Sequence, residues 1–248
     1  MPSSVVGFAE LLGRCERTAV HLELRDSYAP TDRFEAWHRG ERIDWENRES
    51  WWHPQWKQLQ RTGLRRLQES VGDLYQQTSV FRVYVSDVIP GFLQTAGYAT
   101  ALLSTIANLR GTPDDVGDAV AVRMRRNAVL NNGMHRFAFV LEESVLRHRL
   151  CGAETMAAQL GHLLGVMDLQ NVAVGIIPFS AQRNVWPMST FTIFDDTRVH
   201  TDTLDAAATL MQPSQIELYA RAFERQSKAA VRGASARSLI AAALAALD

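Results

Sequence analysis

The apolar run Phe137-Ala138-Phe139-Val140-Leu141 decides the fold of this chain, together with a second run, Val172-Ala173-Val174-Gly175-Ile176-Ile177. Short runs of branched and aromatic residues are typical of strands that are buried on both faces of a sheet. Apolar residues recur at helical spacing between the two runs, at Met156, Leu160 and Leu163. Because strand, helix and strand follow one another, the sequence predicts a parallel β-α-β unit over about residues 137–177.

Further elements are indicated on both sides of this unit. Apolar alternation on either side of the turn Asp195-Asp196-Thr197-Arg198 predicts a hairpin over about residues 190–202. Residues 81–85 alternate as a strand, and Pro90 suits the start of a helix because it has no backbone donor to lose there. Helical periods return at about 114–130 and at 239–247. The sequence therefore predicts a mixed α/β (α+β) fold, with helices around a small sheet.

The N-terminal part of the chain has a different composition. Five of the six tryptophans lie between residues 32 and 56. They form either the core of a small domain or a recognition surface, since tryptophan is enriched in binding hot spots. A helical period from Leu64 to Leu74 then leads into the region described above. We therefore divide the chain into a small Trp-rich N-terminal domain, residues 1–62, and an α/β domain, residues 63–248.

Charge and composition exclude several classes of protein. The formal net charge of −1 is too low for nucleic-acid binding over the whole surface, so only a local basic patch could make such a contact. Two cysteines are too few for a disulfide framework or a cysteine-based zinc site, and the histidines lack a metal-binding spacing. No segment has the pattern of a signal peptide or the length of a membrane span. We expect a cytoplasmic protein with no metal, no cofactor and no membrane contact.

The segment Ile89-Pro90-Gly91-Phe92-Leu93-Gln94-Thr95 resembles the entry motif of a domain that is widespread in actinobacteria. In that family the domain usually follows an XRE-type helix-turn-helix in antitoxin-like transcriptional regulators. The resemblance covers about residues 65–247 and implies a regulatory domain that binds a small-molecule ligand or a partner protein. Further matches follow in the expected order, at Arg123 with Arg126, Leu141-Glu142-Glu143, Leu146-Arg147, Gln159-Leu160, Ile177-Pro178-Phe179 and Phe191-Thr192-Ile193-Phe194-Asp195.

The region before residue 65 resembles a different family. The segment Thr18-Ala19-Val20-His21-Leu22-Glu23-Leu24-Arg25-Asp26-Ser27-Tyr28, with Trp37 and Gly40 after it, is similar to a small uncharacterised domain that often occurs near the first. A helix-turn-helix pattern is not found there, because two helices with a short turn and a basic second helix are missing. The chain thus resembles the regulators without their usual DNA-reading part.

Polar residues follow both strands of the predicted parallel unit. Ligands of open α/β sheets bind outside the carboxyl ends of the strands. Glu142 and Glu143 end the first strand, where they either contact a ligand or stabilise the start of the next helix. Ser180, Arg183 and Trp186 follow the second strand, either as ligand contacts or as part of an ordinary surface loop. If the strands are neighbours, these residues converge at one edge, and we predict a ligand-binding site there.

A second candidate site is basic. Arg123, Arg125 and Arg126 lie near the end of the predicted helix over residues 114–130. They form a local patch for phosphate, RNA or an acidic partner, or they complement the helix dipole as a solvated helix end.

Three functions remain open at this point. The first is a regulatory or sensory module of an antitoxin-like transcription-control system, which binds a small ligand or a partner protein. The second is an enzyme of specialised metabolism, acting on a phosphate-bearing or aminoacyl-tRNA-type substrate at the carboxyl edge of the parallel strands. The third is a DNA-binding repressor. Signatures of nucleophile elbows, phosphate loops, dinucleotide sites and zinc proteases are not found, so the sequence assigns no catalytic residue.

Overall fold

A computed structural model describes residues 63–202 and 207–247 of the chain. The predicted N-terminal domain, with its tryptophans and its resemblance, lies outside the described residues. Six described strands form one open sheet in the order β3-β2-β1-β4-β5-β6. The strands are β1 (Val80–Val85), β2 (Arg136–Glu142), β3 (Val172–Ile177), β4 (Phe191–Phe194), β5 (Arg198–Asp202) and β6 (Ala207–Leu210).

Helices cover both faces of this sheet. No described helix combines the length and the apolarity needed to cross a membrane. The α-helices are α1 (Leu64–Glu69), α2 (Gly72–Gln77), α3 (Ala96–Arg110), α4 (Val116–Asn127), α5 (Glu143–Arg147), α6 (Ala153–Val166), α7 (Pro213–Ala229) and α8 (Gly233–Ala245).

The mixed fold predicted from the sequence is confirmed. Strand β2 pairs in parallel with β3, in a register that sets Phe139 opposite Val174, and α5 and α6 connect the two strands. Strand β1 pairs in parallel with β2. Strands β4 and β5 form the predicted antiparallel hairpin, and β6 adds an edge strand that the sequence did not predict.

The core is divided between the two faces of the sheet. On one face, α6 and α8 pack on an aromatic cluster in which the ring of Phe81 stacks on that of Phe137, with 4.6 Å between centroids. On the other face, α7 covers Tyr84, Phe191 and Ile193. Burial of each of these aromatic rings stabilises the folded state by about 2–3 kcal/mol. The helices of the first face lie over the parallel strands, which leaves the same face of β4, β5 and β6 to form a cavity.

The segment 89–95 departs from the prediction of a helix that starts at Pro90. Pro90 leads into a single 3-10 turn, Gly91–Leu93, and α3 begins only at Ala96, where the Thr95 hydroxyl accepts a hydrogen bond from the backbone N–H of Tyr98. The reason is a side chain from another helix. The buried amide of Gln159 accepts from the N–H of Thr95 and donates to the carbonyl of Leu93, both at 2.7 Å. These bonds hold the backbone in a turn.

The helical period from Leu64 to Leu74 also divides into two short helices, α1 and α2. The first of them is capped by a residue that is distant in sequence. The Asp115 carboxylate accepts from the backbone N–H groups of Leu64 (2.9 Å) and Arg65 (2.8 Å). An acceptor at these otherwise unpaired donors stabilises the start of the helix and ties α1 to the start of α4.

Candidate functional site

Glu142 ends β2 inside a buried polar cluster at the carboxyl edge. Its Oε1 accepts hydrogen bonds from the Tyr84 hydroxyl and from Nη1 of Arg183, both at 2.8 Å, and its Oε2 accepts from Nη2 of Arg183. The bond to Glu142 raises the pKa of the Arg183 guanidinium, and burial raises the pKa of the Tyr84 phenol. The Tyr84 hydroxyl also accepts from the backbone N–H of Met188 at 3.2 Å. The cluster therefore fastens the loop after β3 to the middle of the sheet.

Glu143 is engaged in the same way. Its Oε1 accepts from Nε (3.0 Å) and Nη2 (2.7 Å) of Arg147, and its Oε2 accepts from the backbone N–H of Phe179 at 3.0 Å. The side chain of Glu143 is 8% exposed. All four carboxylate oxygens of the two glutamates thus have donors within the protein. Each carboxylate therefore accepts three hydrogen bonds from the protein and keeps about one of its four acceptor sites.

The other two residues predicted for this edge do not join the cluster. Ser180 is exposed, and Trp186 is 73% exposed, so its ring does not wall a cavity. The carbonyl of Trp186 accepts from the side-chain amide of Gln226 at 2.9 Å. The structure brings Glu142 and Arg183 together as an ion pair, and Glu143 follows at the start of α5. Whether a ligand contacts them stays a prediction.

The three arginines predicted as a basic patch point in different directions. Arg125 is exposed, whereas Arg123 is 9% exposed and Arg126 is half-buried. Arg123 lies on the apolar stripe of α4, in helical register with Val116, Ala119 and Val120, which are all buried. This register explains why Arg123 faces the interior, although the sequence-based interpretation grouped it with its charged neighbours.

A cavity of about 790 Å³ lies over the open half of the sheet. Its floor includes a row of side chains across four strands, in which Val83 pairs with Thr192, Thr192 with His200, and His200 with Thr209. Helices α1 to α4 and the segment 87–94 supply the walls, which are largely apolar. The main apolar side chains of the lining are Leu74, Val83, Val85, Leu102, Ile106 and Phe194.

Arg123 and Arg126 bring positive charge to one wall of the cavity. Nε of Arg123 donates to the side-chain carbonyl of Gln68 at 3.0 Å, and its Nη1 donates to that of Gln94. Arg126 donates from Nη1 to the backbone carbonyl of Gln68 at 3.1 Å, and its guanidinium lies 4.6 Å from the ring centre of Tyr75. Burial, with the neighbouring charge of Arg126, lowers the pKa of Arg123 to about 10.

The signature segment forms part of this wall. Gln94 donates from Nε2 to the carbonyl of Ile89 at 2.6 Å, while its carbonyl oxygen accepts from Arg123. The side-chain amide of Asn127 donates to the carbonyl of Gly91, also at 2.6 Å. Residues that carry the resemblance at 89–95, 123 and 126, and 159 are therefore in contact around one loop, and this loop borders the cavity.

A different set of charges faces the cavity from the sheet and α3. The charges of Arg110 and Asp87 both act on the Asp202 carboxylate, and the Thr190 hydroxyl donates to the Asp87 carboxylate. His200 lies on the floor beside Arg198, and burial lowers the pKa of its imidazole to about 4, with a further contribution from Arg198. His200 is therefore neutral at neutral pH.

Sequence reasoning did not identify this cavity, because its lining comes from helices and strands that are far apart in the chain.

A second, more open cavity of about 490 Å³ lies along α7, where Arg221 pairs with Glu217 and Lys228 with Glu224. Neither of these two cavities is lined by the residues predicted at the carboxyl edge. Within the described part of the chain, no three His, Cys, Asp or Glu residues are grouped so that they could hold a metal ion.

Family models match both parts of the chain. Residues 68–242 match the model described as "Domain of unknown function (DUF5753)", which is more than half of the sequence. Residues 7–68 match the model described as "Domain of unknown function (DUF6879)". No match was found among the curated proteins.

Proposed function

The chain belongs to the DUF5753 family, and on this premise we propose that it is a regulatory module that binds a small ligand within an antitoxin-like transcription-control system. The observation that carries the proposal is the cavity of about 790 Å³ between the open half of the sheet and helices α1 to α4. Ligand sites of proteins are concave, mostly apolar, and about 300–1,000 Å³ in volume, with a few polar groups that orient the ligand. The cavity has these properties.

A small ligand fits these observations better than a catalytic centre at the carboxyl edge. A general acid or base has to reach the substrate with a free lone pair or proton. The carboxylates of Glu142 and Glu143 instead accept three hydrogen bonds each, which connect the end of β2 and the start of α5 to the loop after β3. The enzyme alternative would therefore require this cluster to open. The repressor alternative gains no support from α4, whose arginines divide between the surface and the interior.

The proposal is tested by blocking the cavity. Ile106 lines it from α3, whereas Leu109 lies on the same helix, is 70% exposed and is not part of the lining. Ile106→Trp should narrow the cavity at its α3 wall, and Leu109→Trp is the matched control. We would purify the full chain and both variants from the native organism, release bound small molecules by denaturation, and identify them by mass spectrometry. The same variants would be introduced into a strain that lacks the gene, and its transcripts measured.

The expected result is a compound bound to the wild type and to Leu109→Trp but not to Ile106→Trp, with only the first two restoring the transcript pattern. If no compound is bound and Ile106→Trp restores the pattern fully, the proposal is wrong. Conversion of the compound to a product by the purified chain would favour the enzyme alternative.

A further inference from the structure

We infer that the ligand is a small amphiphilic anion, whose carboxylate or phosphate head group lies against Arg123 and Arg126 and whose apolar body lies along the strand and α3 walls of the cavity. This inference rests on the proposed function, because it requires that the cavity binds a ligand. It adds the chemical class of that ligand and the two residues that select it.

The first reason is a buried positive charge that has no counter-charge among the described residues. Arg123 is 9% exposed, and its described hydrogen-bond acceptors are the neutral amides of Gln68 and Gln94. Neither Arg123 nor Arg126 forms an ion pair with any described carboxylate. Two neighbouring guanidinium groups repel each other, and buried charges are normally paired. An anion in the cavity would supply the missing negative charge.

The second reason is the set of donors that these groups leave unused. Among the described residues, Nη2 of Arg123 and Nη2 of Arg126 have no acceptor, and Nε of Arg126 is a buried donor with none. Tyr75 and Gln68 fix the position of the Arg126 guanidinium. Planar guanidinium groups held in place bind carboxylate and phosphate oxygens through strong, charge-assisted hydrogen bonds.

The third reason is the separation of charges in the cavity. Among the described lining residues the acids are Asp87 and Asp202, and Asp202 interacts with both Asp87 and Arg110. The charge that lowers the pKa of Arg123 is that of Arg126, and neither aspartate contributes to the shift. The negative charge in the lining is thus not placed to neutralise the arginine wall, and the wall stays attractive to an anion.

The fourth reason is the lining between these polar groups. Val83 and Val85 on β1, Leu102 and Ile106 on α3, and Phe194 on β4 all face the cavity. An inorganic anion would leave this apolar surface uncovered, whereas an alkyl or aryl body would bury it at about 25 cal/mol per Å². The arginine wall and the apolar lining together favour an anion that carries an apolar group.

The test uses three probes with the same eight-carbon chain: octanoate, octyl phosphate and octanol. Each would be titrated calorimetrically into the full chain expressed in a heterologous host. We expect both anions, or one of them, to bind at least tenfold more tightly than octanol. The stronger of the two identifies whether the natural head group is a carboxylate or a phosphate.

Charge-removing variants locate the binding. Arg123→Met and Arg126→Met should each weaken anion binding about 10- to 100-fold, because each removes a charged donor, and should not weaken octanol binding. Arg125→Met is the matched control, since it removes the same charge from the exposed side of α4 and should bind the anions like the wild type. Thermal melts would show whether each variant is folded. If Arg123→Met does not fold, the anion affinity of Arg126→Met still tests the inference.

Each outcome decides the inference. Octanol binding as tightly as the anions, or no binding of either anion, would overturn it, and so would equal losses in Arg125→Met and Arg126→Met. The proposed function fails separately, if the native chain carries no compound and Ile106→Trp restores transcription. A neutral compound displaced by Ile106→Trp would leave the proposed function standing while the anion inference falls.

Discussion

The carboxyl edge of the parallel strands and the cavity beside α4 both bury charged groups, but they treat them differently. At the edge, Glu142 is paired with Arg183 and also accepts a hydrogen bond from the Tyr84 hydroxyl. In the cavity, Arg123 and Arg126 have only neutral acceptors among the described residues. The charges at the edge are paired within the protein, whereas the two guanidinium groups of the cavity wall have no described carboxylate as a partner.

The difference changes where function should be sought. Charged residues at the end of a parallel strand are a reasonable candidate site, since ligands of α/β sheets bind there. Hydrogen-bond accounting shows that this edge is already satisfied by the protein. An uncompensated buried charge that lines a cavity is a stronger indication of a ligand, because the protein alone does not offset its desolvation.

The largest expected effect comes from breaking the pair at the edge. Glu142→Ala should lower the free energy of unfolding by about 3 kcal/mol, because it leaves Arg183 and the Tyr84 hydroxyl without their acceptor. The effect should lie at the lower end of the range for buried pairs, since the Arg183 side chain keeps 22% exposure. Urea unfolding measures it. The double variant Glu142→Leu with Arg183→Met should recover most of the loss, and a loss below 1 kcal/mol would mean that the pair is not structural.

Acid should place a further uncompensated charge on the cavity floor. The pKa of His200 is about 4 in the folded protein, below its ordinary value of 6.5. The unfolded chain therefore binds more protons between these values, and stability falls as the pH falls from 6.5 to 4. We expect a loss of about 1–2 kcal/mol, reduced from the full linkage value because the imidazole is only half-buried.

Urea unfolding of the wild type and of His200→Gln at pH 7 and pH 4 isolates this effect. The pKa of Asp202 is raised by desolvation and acts in the opposite direction, but it is present in both proteins and does not enter the difference. Equal losses in the two proteins would show that His200 is not the group responsible.

Removing a charge from the cavity wall should lower the free energy of unfolding much less than removing one from the carboxyl edge. In the ligand-free chain, Arg123→Met should change the free energy of unfolding by no more than about 1 kcal/mol, because the lost hydrogen bonds are offset by relief of an unpaired buried charge. A saturating ligand should then stabilise the wild type and not the variant. If Arg123→Met lost about 3 kcal/mol of unfolding free energy without ligand, Arg123 would be a structural residue like Glu142.

The smallest effect belongs to Arg125. Arg125→Ala should change stability by less than about 0.5 kcal/mol, because the side chain is exposed and makes no described ion pair. Thermal unfolding at low and at high salt measures it. A larger effect that decreases with salt would mean that Arg125 belongs to a charge network at the surface.

The periodicity of the chain determined much of the fold. The runs at 137–141 and 172–177 predicted a parallel unit, and the turn at 195–198 predicted a hairpin, because strand burial and turn chemistry are local properties. The predicted start of α3 at Pro90 was wrong. The true start depends on Gln159, which lies more than sixty residues further along the chain. The edge strand β6 was missed because its four residues carry no distinctive alternation.

The candidate sites divide in the same way. The sequence by itself determined which residues carry charge, that Glu142 and Arg183 follow the two strands of the predicted parallel unit, and that residues 89–95 resemble the entry motif of a known domain. Only the tertiary structure decided that the first two neutralise each other, and that Gln94 holds Arg123 at the wall of a cavity. The physical reason is that pairing and desolvation are properties of three-dimensional neighbours. Whether a buried charge is part of the structure or available to a ligand depends on which distant residues surround it.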